Sequence, residues 1–306
     1  MRLRFGLSTP ANIWNKSVAE KIATLKEIEQ AGFSHIYMAD HVSFHTGAGT
    51  DGFVQCAALS QLSDRLGVMI SIYLLPLRHP LPVARQMATI AEVAQNRFVL
   101  GVGVGGEDRH EFEVCEVNPA TRGERTNEAL DILADIMQGE EVSTKGKHFN
   151  IDKAKIRPTP TQPIPIIVGG RSDAALHRAA KYADGWVGVW CSPQRFKQAT
   201  EIIAETATTL GRTQTQWQHG LQPWVGVADS AEEARLAVKA QMEAFYKIPF
   251  EKFERYTPYG TAQDVAEELE KYKQMGCSFF NLKICTPHSE EETSRGAEIV
   301  QLLKKA

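Results

Sequence analysis

Apolar residues along this chain alternate between two patterns. Short, nearly continuous apolar runs around Leu3–Ser8, His35–Ala39, Val68–Leu75 and Phe98–Val104 read as strands buried on both faces, as in a parallel sheet. Between them, residues 18–31, 53–66, 82–94 and 124–137 carry apolar positions at helical spacing. The alternation resumes with strands predicted at 164–168, 185–190, 219–227 and 277–284, and helices at 172–183, 193–210, 231–245, 262–275 and 290–304. Two stretches break the rhythm. Residues 140–165 are rich in proline and read as an irregular excursion, with a hairpin as one form, and residues 247–259 form an aromatic one. Eight strand–helix pairs without an internal repeat predict one closed (β/α)₈ barrel over 1–306, with an insertion after the fourth helix. An open doubly wound sheet with an appended domain is the alternative.

Length and composition agree with an enzyme-sized core: 306 residues, 43% hydrophobic and 23% charged. A net charge of −3 supplies no basic footprint for nucleic acid. The N-terminus runs straight into strand-like sequence, and the longest uncharged apolar stretch, 66–77, is short against the roughly 20 residues of a membrane span. Cys56, Cys115, Cys191, Cys277 and Cys285 form no CxxC pair, as expected of reduced thiols in a cytoplasmic protein.

In a barrel of this kind chemistry sits where the strands end at their C-terminal side. Gly101-Val102-Gly103-Val104-Gly105-Gly106 matches G-x-G-x-x-G formally, but Glu107-Asp108-Arg109-His110 follows in place of an apolar helix, and three strand–helix pairs precede it. The run therefore reads as a bare wall against a flat ligand, with Glu107 and Arg109 on the substrate side. Gly169-Gly170-Arg171-Ser172 is the better anion cradle, since a strand passes through two glycines into a helix capped by Ser172. Asp40-His41 suits acid–base work or hydrogen bonding to a heterocycle. No residue spacing suggests a metal site. Arg78 ends the third strand, Arg122-x-x-Arg125 opens the fourth helix, and each can reach substrate or phosphate or form a solvated pair. Lys283, on the eighth strand, is a candidate anion contact or Schiff-base former. Trp190 and the aromatics of the second half suit an apolar pocket wall.

The ordered set Ala31-Gly32-Phe33, Ala39-Asp40-His41, Leu75-Pro76-Leu77-Arg78-His79-Pro80, Asn96-Arg97-Phe98, Leu100 to Gly106, Arg122 with Glu128, Ile166 to Gly170 and Ala183-Asp184-Gly185-Trp186 resembles the luciferase-like flavin- or deazaflavin-dependent oxidoreductases. The resemblance implies a (β/α)₈ barrel with FMN or coenzyme F420 across its mouth, the phosphate at Gly169 to Ser172, Asp40 on the heterocycle, His41 at the reacting position and a homodimer. It also implies a non-proline cis peptide late in the third strand, at Ser71-Ile72 or Ile72-Tyr73. Where some deazaflavin relatives place an acid directly after the glycine run, this chain has Gly106, and Glu107 one later, so the choice between FMN and F420 stays open. A Schiff-base lyase using Lys283 and a non-catalytic flavin-binding protein are the competing readings.

Overall fold

Strand β1 (Arg4–Ser8) pairs in parallel with β2 (His35–Met38), which pairs with β3 (Gly67–Leu74), and β3 with β4 (Phe98–Gly103). The series continues through β5 (Ile166–Gly169), β6 (Gly185–Gly188), β7 (Gly220–Leu221) and β8 (Phe279–Cys285), and β8 returns to β1, closing an eight-stranded barrel. The structure, a computed structural model, describes residues 3–45, 47–106 and 108–305. Among these, no helix is long and apolar enough to cross a membrane.

Helices surround the barrel because their starts are specified locally. Ser17 with Glu20 and Thr261 with Asp264 form capping boxes, and Ser172, Ser192 and Ser230 each accept a first-turn amide. The outward face of every barrel strand joins these helices in one large core. The inward face is smaller: Tyr37, Met69, Ile167, Val187 and Phe279 pack together, with Ile72 and Val99 against them.

The glycine run belongs to this inward face. On β4, Val99, Gly101 and Gly103 alternate inward while Phe98, Leu100 and Val102 point to the helices. A Cβ on Gly101 would stand 2.4 Å from the Ile70 carbonyl oxygen, and one on Gly103 would stand 1.7 Å from Ile72 Cδ1. Bare backbone here makes room for β3, whose Ser71–Ile72 peptide is cis.

Three departures from the sequence reading shape the site, and the two irregular stretches take definite form. The expected seventh strand, 219–227, is broken. Pro223 has no N–H to give to a ladder, so β7 stops at Leu221 and Trp224–Val227 restarts beside β8 and Tyr259–Gly260. Residues read as a loop after β2 form an antiparallel hairpin, His41–Phe44 with Ala48–Thr50. The charged stretch after β4 contains a short helix, Arg109–Val114, capped by Asp108. Residues 247–259 form two 3₁₀ turns, Phe250–Lys252 and Glu254–Tyr256. The stretch 140–165 carries the hairpin Val142–Lys145 with Asn150–Ala154.

Gly101→Ala should cost about 1–3 kcal/mol, because the clash is with main chain and not a movable side-chain tip. A urea unfolding midpoint within error of the parent protein would contradict that.

Candidate active site

The C-terminal ends of the strands enclose a cavity of about 410 Å³. That lies within the range of small-molecule sites. Its floor is Ile72, Leu74 and Val187, and main chain at Gly105, Gly169 and Gly170 forms part of the rim. Its wall is aromatic. The helix Ala231–Tyr246 ends by laying Phe245 and Tyr246 over the opening, where they meet Trp190 and Trp224. Trp224 Nε1 donates to the Tyr246 hydroxyl at 3.2 Å. The 247–259 stretch supports this wall from behind, with Phe253 packed on both Trp190 and Tyr246. Trp190 itself has φ +44°, an uncommon value for a bulky residue.

His41, the first residue of the hairpin, lines the cavity. Its Nδ1 lies 3.1 Å from Glu111 Oε2. Glu111 is 2% exposed and also accepts the amides of Val42 and Ser43 at 2.6 and 3.2 Å. Burial alone would raise its pKa. The hydrogen bond and charge of His41 and the two amides outweigh that and hold the carboxyl below its ordinary value. A carboxylate can only accept, so Nδ1 carries a proton toward Glu111, and in the neutral form of the ring Nε2 is the acceptor. Phe44 packs on the imidazole at 4.1 Å between ring centroids, fixing its plane.

Asp40 does not line the cavity. Its side chain is wholly buried, bonded to the amides of Gly52 and Leu74 at 3.1 Å each, and paired with Arg78 at 2.8 Å. The Arg78 guanidinium also lies over the Tyr73 ring, 4.6 Å from its centroid. Two residues assigned to cofactor and substrate in the sequence reading thus satisfy each other, because neither has another full counter-charge in that dry setting. Burial raises the Asp40 pKa, with Arg78 and the two amides opposing.

The other candidates divide. Ser71 reaches the cavity through its hydrogen-bonding side chain and Ile72 through its apolar one, and Gly105, Gly169, Gly170, Trp190 and Lys283 also line it. Arg171 is exposed and lies over Trp190, 5.2 Å from the ring centroid, while Ser172 caps the helix Asp173–Tyr182. Gly106 is exposed beside Arg122. Arg125 is turned away, donating to the Pro76 carbonyl and covering Phe149. Arg109 is solvent-exposed and pairs with Glu113 one turn along its own helix. Glu107 lies outside the described residues.

Sequence reasoning missed Glu111, Gln222, Asn281 and the Phe245–Tyr246 pair. Inside the barrel a polar chain runs from Ser34 Oγ to His35 Nδ1 (2.9 Å), from His35 Nε2 to Asn281 Oδ1 (2.7 Å), and from Asn281 Nδ2 to Gln222 Oε1 (3.2 Å). The Ser71 hydroxyl donates to the same Gln222 oxygen at 2.6 Å, and Gln222 Nε2 donates to the Ser71 carbonyl. Burial pushes the His35 pKa down to about 4, so its ring is neutral at ordinary pH. Asn281, set between Phe280 and Leu282, was the one readable signal: a polar residue inside an apolar strand.

A barrel-mouth cavity, a glycine pair after β5 and a His–Glu pair after β2 coincide with a sequence match to the luciferase-like monooxygenases over residues 3–276. The chain belongs to that family. This luciferase-like protein is accordingly an oxidoreductase, which sets aside the lyase and the non-catalytic readings. An uncharacterized protein of Mycobacterium tuberculosis is 33% identical over 211 residues, covering 63% of this chain and 73% of the relative. The F420-dependent glucose-6-phosphate dehydrogenase of Nakamurella multipartita is 28% identical over 191 residues, covering 60% of this chain and 56% of that one. Among solved structures, an F420-dependent secondary alcohol dehydrogenase in complex with an F420–acetone adduct matches with a TM-score of 0.82 at 18% identity over 99% of both chains. The oxygenating constituent of 3,6-diketocamphane monooxygenase of Pseudomonas putida, in complex with FMN, matches with a TM-score of 0.74 at 15% identity, covering 98% of this chain and 97% of the other. These two likenesses carry the fold.

Arg78→Met should destabilise the protein by about 3 kcal/mol at pH 7, by leaving Asp40 charged in a dry site. With its pKa already raised, folded Asp40 holds its proton more tightly than unfolded Asp40, so the penalty shrinks as pH falls from 7 toward the ordinary carboxylate value of 3.8. The gap in melting temperature between variant and parent should therefore narrow at pH 5; a gap independent of pH would refute the assignment.

Proposed function

We propose that this luciferase-like oxidoreductase binds FMN or coenzyme F420 in the barrel-mouth cavity and oxidises or reduces a small organic substrate there, with His41 as the proton-transferring group. The observation that carries the reading is the His41–Glu111 pair at the cavity edge, an imidazole held in one tautomer by a buried carboxylate. The F420-dependent and FMN-bound proteins that the chain resembles support the pair of cofactors and leave the choice between them to experiment.

The residues present fit a flat ring with a phosphate-bearing tail. A Cβ on Gly169 would stand 3.0 Å from Ile72 Cγ2 and one on Gly170, at φ +127°, 2.8 Å from Ala175 Cβ, so both positions call for glycine and leave bare main chain at the cavity rim. The Gly170 carbonyl is taken by Trp186 Nε1 at 2.7 Å, which fixes the loop. Beyond it begins the helix Asp173–Tyr182, whose Ala175 amide is taken by Ser172 and whose positive end favours an anion. When bound, the ring supplies hydride chemistry or, for FMN, oxygen activation.

The protein's own part is proton handling and exclusion of water. His41 Nε2 takes a proton from, or returns it to, the substrate heteroatom. Glu111 stabilises the imidazolium formed and holds the ring in place. The apolar floor and aromatic wall keep the reacting atoms dry, strengthening both effects.

Titration of the purified protein with FMN and with F420, each oxidised and reduced, should give saturable binding of one of them; binding of neither would overturn the proposal. In the loaded enzyme, His41→Ala should lower kcat by about 10²–10⁴-fold with cofactor affinity changed little. Glu111→Gln should lower kcat by about 10–100-fold, also at nearly constant cofactor affinity. An affinity loss as large as the rate loss would make His41 a binding residue.

A further inference from the structure

Resting on that reading, we propose that the substrate is an amphipathic monoanion, a carboxylate or sulfonate on an apolar body, and that Lys283 is the residue that holds its head group. Lys283 lies on β8 in register with Trp224, and its Nζ sits 6.0 Å from the Trp224 ring centroid at the cavity wall.

Two features set this lysine apart. Among the described lining residues there is no Asp or Glu, so the cavity has a cationic point and no built-in anion. Cations buried or half-buried elsewhere are either ion-paired, as Arg78 is with Asp40, or hydrogen-bonded to neutral acceptors, as Arg97 is to three main-chain carbonyls and Arg178 to Asn127 and the Gly123 carbonyl. Lys283 makes no ion pair within 4.0 Å among the described residues. Glu292, at the start of the closing helix, feels its charge, but burial acts more strongly on that carboxyl and raises its pKa. A cation in an apolar wall without a counter-charge is costly until a ligand supplies one. One lysine, with neither an arginine fork nor a second cation lining the cavity, matches a single negative charge better than a phosphate dianion.

The wall between Lys283 and His41 specifies the rest of the ligand. His41 contacts Phe245 at 6.3 Å between centroids, Phe245 contacts Trp224 at 5.8 Å, and Trp224 meets Lys283. A substrate whose reacting atom is at His41 and whose head group is at Lys283 must cover two aromatic rings with apolar surface. The Gly169–Ser172 cradle is three strands round the barrel from β8, and His41 follows β2, two strands the other way. Cofactor anion and substrate anion are thus served by different edges of the mouth.

The test uses the cofactor-loaded protein and, in parallel, the protein without added cofactor. 4-Phenylbutanoate, 3-phenylpropanesulfonate, 3-phenylpropyl phosphate and the neutral 4-phenylbutanamide are titrated by calorimetry. The carboxylate and sulfonate should bind roughly tenfold more tightly than the amide, and the phosphate no more tightly than the monoanions. Lys283→Met should abolish the preference and Lys283→Arg should keep it, with cofactor affinity unchanged in both. Equal binding of acid and amide, absence of binding by both monoanions, a phosphate preference, or a preference surviving in Lys283→Met would each overturn the proposal. Loss of cofactor affinity in Lys283→Met would reassign the lysine to the cofactor. Failure of the oxidoreductase reading is seen separately, as absence of cofactor binding by the parent protein.

Discussion

The buried carboxylate of Asp40 ties together three parts of the chain that have no covalent reason to stay in register. It follows β2, it takes the amide of Gly52 where the next helix begins, and it takes the amide of Leu74 where β3 ends. Arg78 closes the arrangement from the turn beyond. An ion pair this deep returns little net stability, since desolvation consumes most of the attraction. Its value is positional. The hairpin carrying His41 leaves from Asp40, so the place of the imidazole at the cavity edge is set by a residue that never reaches the cavity.

The second constraint is the contrast between that hydrogen-bonded scaffold and the dry space it borders. Glu111 is fully supplied with donors and stays anionic in spite of burial, and it keeps the neighbouring ring in one tautomer. Across the mouth the wall is almost entirely aromatic, contributed by the end of one helix and by two tryptophans after β6 and β7. Proton-transferring equipment and apolar surface are thus built on separate segments and meet only in the folded barrel.

This division explains what was legible in the sequence. The strand–helix alternation could be read because parallel strands are buried on both faces and their apolar runs are continuous, whereas helices show the longer period. The turn and helix start at Gly169 to Ser172 could be placed because glycine pairs and a serine cap have local meanings, and the Ser71–Ile72 bond stands where the family resemblance put it. Glu111 could not be distinguished, since five charged or imidazole residues run from 107 to 111 and only tertiary contact selects the one that goes inside. Asp40 and Arg78 were singled out as charges facing a ligand, and the fold pairs them with each other. Each looked like a ligand-facing charge because nothing local reveals that the two meet. Phe245 and Tyr246 were hidden in an ordinary amphipathic helix, and their place over the mouth depends on where that helix stops.

The polar chain through the barrel has a consequence for whatever rests on the floor. The Asn281 oxygen faces His35 Nε2, its nitrogen donates to Gln222 and Ser71, and Gln222 receives it with its own oxygen. The Gln222 nitrogen then spends one proton on the Ser71 carbonyl and has one left. With His35 neutral at ordinary pH, the chain carries no charge into the barrel. The interior of the barrel therefore brings polarity without charge to the edge of the cavity, where the Gln222 amide is part of the lining.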